Sequence, residues 1–347
     1  MAATNTDLSQ ALIDSARRGD LPDVISLLAQ GADPGYQSSE ALGQAAENGH
    51  ADCVKLLIPV SDPKTAYNNA LLMAAHNGHA ECVKHLAHLS NSKEAASRAL
   101  HWAAGIGYAE CVKLLIPASD PKSLNSEALR QAAENGHAEC VKLLIPVSDP
   151  KALDSDALLW AASRGDAECV KLLIPVSDPK ADNSRALSDA AGNGHVECVK
   201  LLIPVSNPKD DNSHALRCAA MFGHAECVEL LIPVSDPKAN HSTAIRRAAI
   251  SGHPECVKLL MPVSCPLLNN KQALASALQG GCPKVLSLML AWEPLLLAGL
   301  DLQSLLADAV TGGHADLADL LSSIIDRASI AAHISGPTKL SPSPTRL

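Results

Sequence analysis

Aromatic residues are nearly missing from this 347-residue chain, which holds three Trp, three Tyr and one Phe. Large globular cores lean on such side chains. The apolar 47%, drawn mostly from Ala, Leu, Val and Ile, therefore points to thin layers of small, closely packed residues. Positive charge is also scarce. Against 37 Asp and Glu stand 28 Lys and Arg, a formal net charge of −9. No clustered positive field is left to neutralise phosphates, which argues against nucleic acid and acidic lipid as main ligands. The most apolar stretch, 285–300, is broken by Glu293 and Pro294 and is too short to cross a bilayer. The opening M-A-A-T-N-T-D-L-S-Q has neither the basic nor the apolar part of a secretory leader. A Walker loop, a G-x-S-x-G elbow, H-E-x-x-H and a kinase signature are all missing. A cytoplasmic, non-catalytic protein without cofactor or metal is the expectation.

What the chain has in abundance is repetition. Gly49, Gly78, Gly107, Gly136, Gly165, Gly194, Gly223, Gly252 and Gly281 stand 29 residues apart, most of them inside N-G-H-A-E-C-V-K-L-L-I-P-V-S-D-P-K. A fixed period of this length marks a supersecondary unit that cannot bury its apolar face alone, so neighbours stack into a solenoid with a long accessible surface. Eight of the eleven cysteines, from Cys53 to Cys256, occupy one repeat position. Equivalent positions of stacked helices lie about 8–10 Å apart, beyond the roughly 7 Å that a disulfide spans between Cα atoms. The ladder reads as reduced thiols packed in a core.

One copy, 125–154, shows how each unit folds. Asn125 or Ser126 caps a first helix with Ala128, Leu129, Ala132 and Ala133 on its apolar face, and Gly136 ends it. His137 opens a second helix that buries Cys140, Val141, Leu143, Leu144 and Ile145 and stops at Pro146. Glu139 and Lys142 pair on its exposed side. Two prolines in the following loop are expected to keep it extended.

These residues resemble the ankyrin repeat. Its T-P-L-H-x-A-A-x-x-G-H-x-E-x-V-K-L-L pattern is matched at Ala128 to Leu144 and most closely by Ala99-Leu100-His101-Trp102-Ala103-Ala104, while Gly31-Ala32-Asp33 keeps the family's G-A-D. Ankyrin repeats run about 33 residues, so the shortfall falls in the loop where the family builds a β-hairpin. The resemblance implies an all-α, or minimally β, helix-turn-helix solenoid with truncated fingers. It lacks the strand signature of leucine-rich repeats, and its helices are shorter than those of tetratricopeptide repeats. The expected divisions are a divergent first repeat at 1–39, eight close copies at 40–266, divergent repeats and a cap at 267–334, and a disordered tail at 335–347.

Six copies place His and Cys three apart, as in His137 and Cys140. Two ligands per repeat fall short of the four a tetrahedral site needs, so a histidine bridging the inter-helix turn and a core cysteine are the better reading. The V-S-D-P-K loops read as turns, their Lys balanced by Asp.

The residues that vary between copies carry the functional information. After Ala-Leu the first helices read Gly43-Gln44, Leu72-Met73, His101-Trp102, Arg130-Gln131, Leu159-Trp160, Ser188-Asp189, Arg217-Cys218 and Arg246-Arg247. The resemblance implies that the second of each pair faces a concave groove. Met73, His101, Trp102, Arg130, Gln131, Trp160, Asp189, Arg217, Arg246 and Arg247 are the candidate partner-binding residues, against the competing reading of neutral drift at exposed sites. They are expected to run from an apolar strip to a basic end. The function expected is a monomeric protein-interaction scaffold for a protein partner. A variant of it is a secreted bacterial effector acting on host proteins, and an enzyme using the non-repetitive stretch 267–300 is the other class.

Overall fold

The computed structural model describes residues 4–62, 66–90, 92–264, 268–292 and 301–334. The expected tail at 335–347 and the end of the non-repetitive stretch, 293–300, lie outside the described residues. Among the described residues there are helices and turns and no strand. Two compact units result, Met1–Asn207 and Pro208–Leu347.

In the first unit the helices pair as Asn5–Arg18 with Leu21–Ala29, Tyr36–Glu47 with Ala51–Leu57, Ala66–His76 with Ala80–Leu86, Lys93–Ile106 with Ala109–Leu115, Ser123–Glu134 with Ala138–Leu144, Ala152–Arg164 with Ala167–Leu173, and Ala181–Gly192 with Val196–Leu202. The second unit pairs Asp210–Phe222 with Ala225–Leu231, Ala239–Ile250 with Pro254–Leu260, Leu268–Gln279 with Pro283–Trp292, and Leu302–Thr311 with Ala315–Ile334. Counting along the chain, these are repeats one to eleven. Within each unit first helices pack on first helices, and second on second.

The core is what the helical period dictates. In repeat five Ala128, Leu129, Ala132 and Ala133 from the first helix meet Cys140, Val141 and Leu144 from the second, all buried. Small residues let the helices approach, and each buried Leu contributes about 1.5–3 kcal/mol. Turn glycines are fixed by a specific neighbour. Gly107 has φ +97°, and a Cβ there would stand 2.6 Å from Nδ1 of His137 in the next repeat. Nε2 of His137 lies 3.1 Å from the Gly105 carbonyl. A carbonyl only accepts, so Nε2 carries the proton. The histidine thus bridges to the preceding repeat rather than across its own turn.

The loops correct two expectations. They are compact rather than extended: Val147 and Ser148 donate their N–H groups to the Leu144 carbonyl, and Lys151 N–H bonds Oδ1 of Asp149, folding the chain around Pro150. Ser126 does not cap its own helix either. In six repeats the first-helix segment opens with three successive left-handed residues, Leu124, Asn125 and Ser126 in repeat five. From that conformation the buried Ser126 Oγ faces the next loop and accepts from Asp149 N–H at 2.8 Å. Ser155 does the same for Asp178 and Ser213 for Asp236, each at 2.8 Å. Ser177 and Ser206 Oγ donate back to the carbonyls of Pro150 and Pro179. Hydroxyl bonds thereby take the place of strand pairing between these shortened fingers.

Repeat four breaks the pattern. Ser92 stands where repeat five has Pro121, and its hydroxyl caps the helix by accepting from Ala95 N–H. Residues 94–97, whose counterparts at 123–126 include the left-handed turn, are helical here.

Candidate protein interface

Seven of the ten candidate residues lie in the first unit, all on first helices and all half-buried. Met73 and Trp160 keep part of their apolar surface open beside Leu72 and Leu159, which are also half-buried. Trp102 meets the His76 ring edge-on at 5.2 Å, and the Arg98 guanidinium lies 5.8 Å from its centroid, within reach of a cation–π attraction. Arg98 was not singled out from the sequence, although its position one helical turn before Trp102 was a usable signal.

The charged candidates are largely tied to neighbours. Arg130 donates to Glu127 Oε2 through Nε and Nη2 and stands 3.6 Å from Asp156 of the next repeat. Gln131 Nε2 donates to the other Glu127 oxygen at 3.2 Å. His101 Nδ1 lies 3.8 Å from the same oxygen, buried and without a hydrogen bond. Burial holds the His101 imidazole below its ordinary pKa, against the opposing pull of Glu127. It is therefore neutral near pH 7. Glu127 organises these three groups, and its spacing from Arg130 and Gln131 at three and four residues could have revealed it. Asp189 stands 3.6 Å from Arg185 Nε.

The three arginines of the second unit offer less open charge than their sequence suggests. Arg217 is 8% exposed and bonds both the carbonyl and the carboxylate of Asp211. Arg246 donates to Thr243 Oγ1 at 2.8 Å and buries its Nε. Arg247 Nη1 lies 3.4 Å from the Met221 sulfur.

Because repeat four starts its helix a turn earlier than repeat five, a slot of about 600 Å³ opens between them. Leu100, Trp102, Leu124 and Ala128 line it, with Lys93, Glu94, Arg98 and Asp120 among its polar residues. Volumes of about 300–1,000 Å³ accommodate small ligands or inserted side chains.

The His–Cys pairs do not converge. Nε2 of His137 is taken by a backbone carbonyl while Cys140 faces the core, its thiol pushed up to about 11 by burial. Among the described residues no three His, Cys, Asp or Glu side chains stand close enough to share an ion. Likewise, no described helix is long and apolar enough to cross a membrane. In the non-repetitive stretch the described backbone forms helices Leu268–Gln279 and Pro283–Trp292.

Stacked helix pairs that present variable residues on their first helices define a repeat-built binding module. A family model described as ankyrin repeats (3 copies) matches residues 12–98, 71–155, 129–212, 158–241, 187–266 and 216–303, and the chain belongs to the ankyrin-repeat family. Such repeats are in general protein–protein interaction modules. Among solved structures the chain is similar to the human ASB11 ankyrin repeat domain, at 24% identity over 50% of this chain and 95% of that one, with a TM-score of 0.41. A search of curated proteins returns no match.

Proposed function

We propose that the protein is a non-catalytic scaffold that binds a protein partner along the first-helix face of its first unit, through Met73, His101, Trp102, Arg130, Gln131, Trp160 and Asp189. One observation carries this reading. Leu72, Met73, Trp102, Leu159 and Trp160 are large apolar residues left half-open on the same helices whose Ala and Leu partners are sealed in the core. Part-exposed aromatics on a rigid support are the usual anchors of an interface. Arg217, Arg246 and Arg247 join the reading as a second, weaker contact region on the second unit.

Affinity capture with the full chain, followed by mass spectrometry, tests it. Replacing Trp102 and Trp160 together by Ala should remove the captured partner while the melting temperature stays nearly unchanged. Capture that persists in a folded double variant would place the binding face elsewhere.

A further inference from the structure

Two leucines break local rules side by side. Leu124 and Leu153 hold equivalent positions in repeats five and six, both are left-handed, with φ 50° and 49°, and they are 74% and 58% exposed. At the same register other repeats carry Gln37, Asp182, Asp211 and Asn240, polar residues suited to an exposed turn. Leucine gains nothing there from packing and is a poor fit to the backbone. Leu124 also lines the slot between repeats four and five, together with Trp102.

We propose that this edge docks a partner segment in the polyproline II conformation, with aliphatic side chains three residues apart. The proposal rests on the interaction-module reading and names the chemistry of the partner. Adjacent helices lie about 8–10 Å apart, and three residues of polyproline II advance about 9 Å while returning to the same face. One side chain enters the slot beside Leu124 and the next packs on Leu153. A helical ligand laid across the same edge returns to one face after about 5.4 Å or, over two turns, about 10.8 Å, and neither matches that spacing. Strand addition finds few open donors, because the N–H groups of Asp120 and Asp149, in the loops that carry Leu124 and Leu153, are already bonded to Ser97 and Ser126. Polyproline II needs no such partners, since its backbone is solvated.

The charges agree. Lys93 and Arg98 are matched by Glu94 and Asp120 around the slot, and Glu127 is paired with Arg130, so the lining presents no strong field of either sign. An uncharged segment complements it, and Trp102 supplies the aromatic wall that proline rings favour.

The test uses the full chain and a fluorescein-labelled peptide, Pro-Pro-Leu-Pro-Pro-Leu-Pro-Pro, read by anisotropy. Controls carry the leucines four apart, or replace the prolines with Gly and Ser, and a helical peptide places leucines seven apart. The first probe should bind, and each control should bind about tenfold more weakly. Leu124→Asp should weaken the first probe by about tenfold, with a smaller loss for Leu153→Asp. Aspartate already occupies this register at Asp182 and Asp211, so these variants should melt at or slightly above the wild-type temperature. No binding, equal binding of the spacing controls, tighter binding of the helical peptide, or an unaffected folded Leu124→Asp would each overturn the proposal. Partner capture that depends on Trp102 and Trp160 without any proline-probe binding would sink this inference alone. A leucine-dependent probe with capture indifferent to those tryptophans would sink the broader reading instead.

Discussion

Repeats four and five share a frame and a core but enter it differently. Their second helices have the same sequence, AECVKLL, and bury the same Cys, Val and Leu. Their first helices differ in how they begin. Ser92 caps a helix that runs unbroken from Lys93, whereas Pro121 has no hydroxyl to offer and is followed by a left-handed turn at Leu124, Asn125 and Ser126. As a result Ala95 is buried in repeat four while its counterpart Leu124 stands in solvent. The stack tolerates either entry because Ala-Leu-x-x-Ala-Ala fixes the core, and it gains at the mismatch a slot that identical copies would not leave.

The largest expected effect tests what the two repeats share. Burial, ahead of nearby carboxylates, pushes the thiols of Cys111 and Cys140 up to about 11. An unfolded thiol titrates near 8.5. The folded state keeps its proton while the unfolded state gives it up, so stability is complete below about pH 8.5 and falls as pH rises towards 11. Each thiol contributes about 1.4 kcal/mol per pH unit across that window, and Cys82, Cys198, Cys227 and Cys256 act alongside. Under reducing conditions the urea midpoint should drop steeply between pH 8 and 10. Cys111→Ala and Cys140→Ala should relieve the slope equally, and unequal relief would mean that the two cores differ.

A middle-sized effect separates the entries. Ser126→Ala strands the Asp149 N–H in a part-buried loop, at a cost of about 1–3 kcal/mol. Ser97 accepts from Asp120 N–H at 2.9 Å, but that bond lies at the surface. Water can replace it, so Ser97→Ala should cost under about 1 kcal/mol. Denaturation of both variants, with amide exchange at Asp149, decides the matter. Equal losses would mean that the hydroxyl ladder does not stitch the loops.

The parts of this fold that were legible are those governed by period. Ala128, Leu129, Ala132, Ala133 and Cys140 fall in the core as helical spacing requires, Glu139 and Lys142 approach to 3.8 Å, and the truncated fingers contain no strand among the described residues. The entry turns were not legible. Ser126 before Ala-Leu has the signature of an N-cap, yet its hydroxyl accepts from the following loop, and the left-handed backbone that carries it is one that Leu and Ser seldom adopt. The partner face was legible in position and less so in charge. Arg217 reads as an exposed cation until Asp211, brought back by the same left-handed turn, folds over it. The slot could not be foreseen from any one repeat, because it exists only in the mismatch between two.

The smallest expected effect is also the sharpest, since it reverses sign between the two repeats. Asn at position 124 would replace a leucine that gains little from packing and occupies a left-handed conformation disfavoured by about 1–2 kcal/mol. Asparagine visits that region readily, so Leu124→Asn should raise stability by about 1 kcal/mol. At position 95 the same residue enters the first turn of a helix, where Ala95 N–H is bonded to Ser92 and its methyl is buried. There Asn loses about 0.7 kcal/mol of helix propensity and must bury part of an amide, so Ala95→Asn should lower stability by about 1 kcal/mol. Urea titrations of the two single variants read the signs directly. Two losses of similar size would mean that repeat five is helical from Ser123 onward, and the slot beside Trp102 would then close along with the contrast between the repeats.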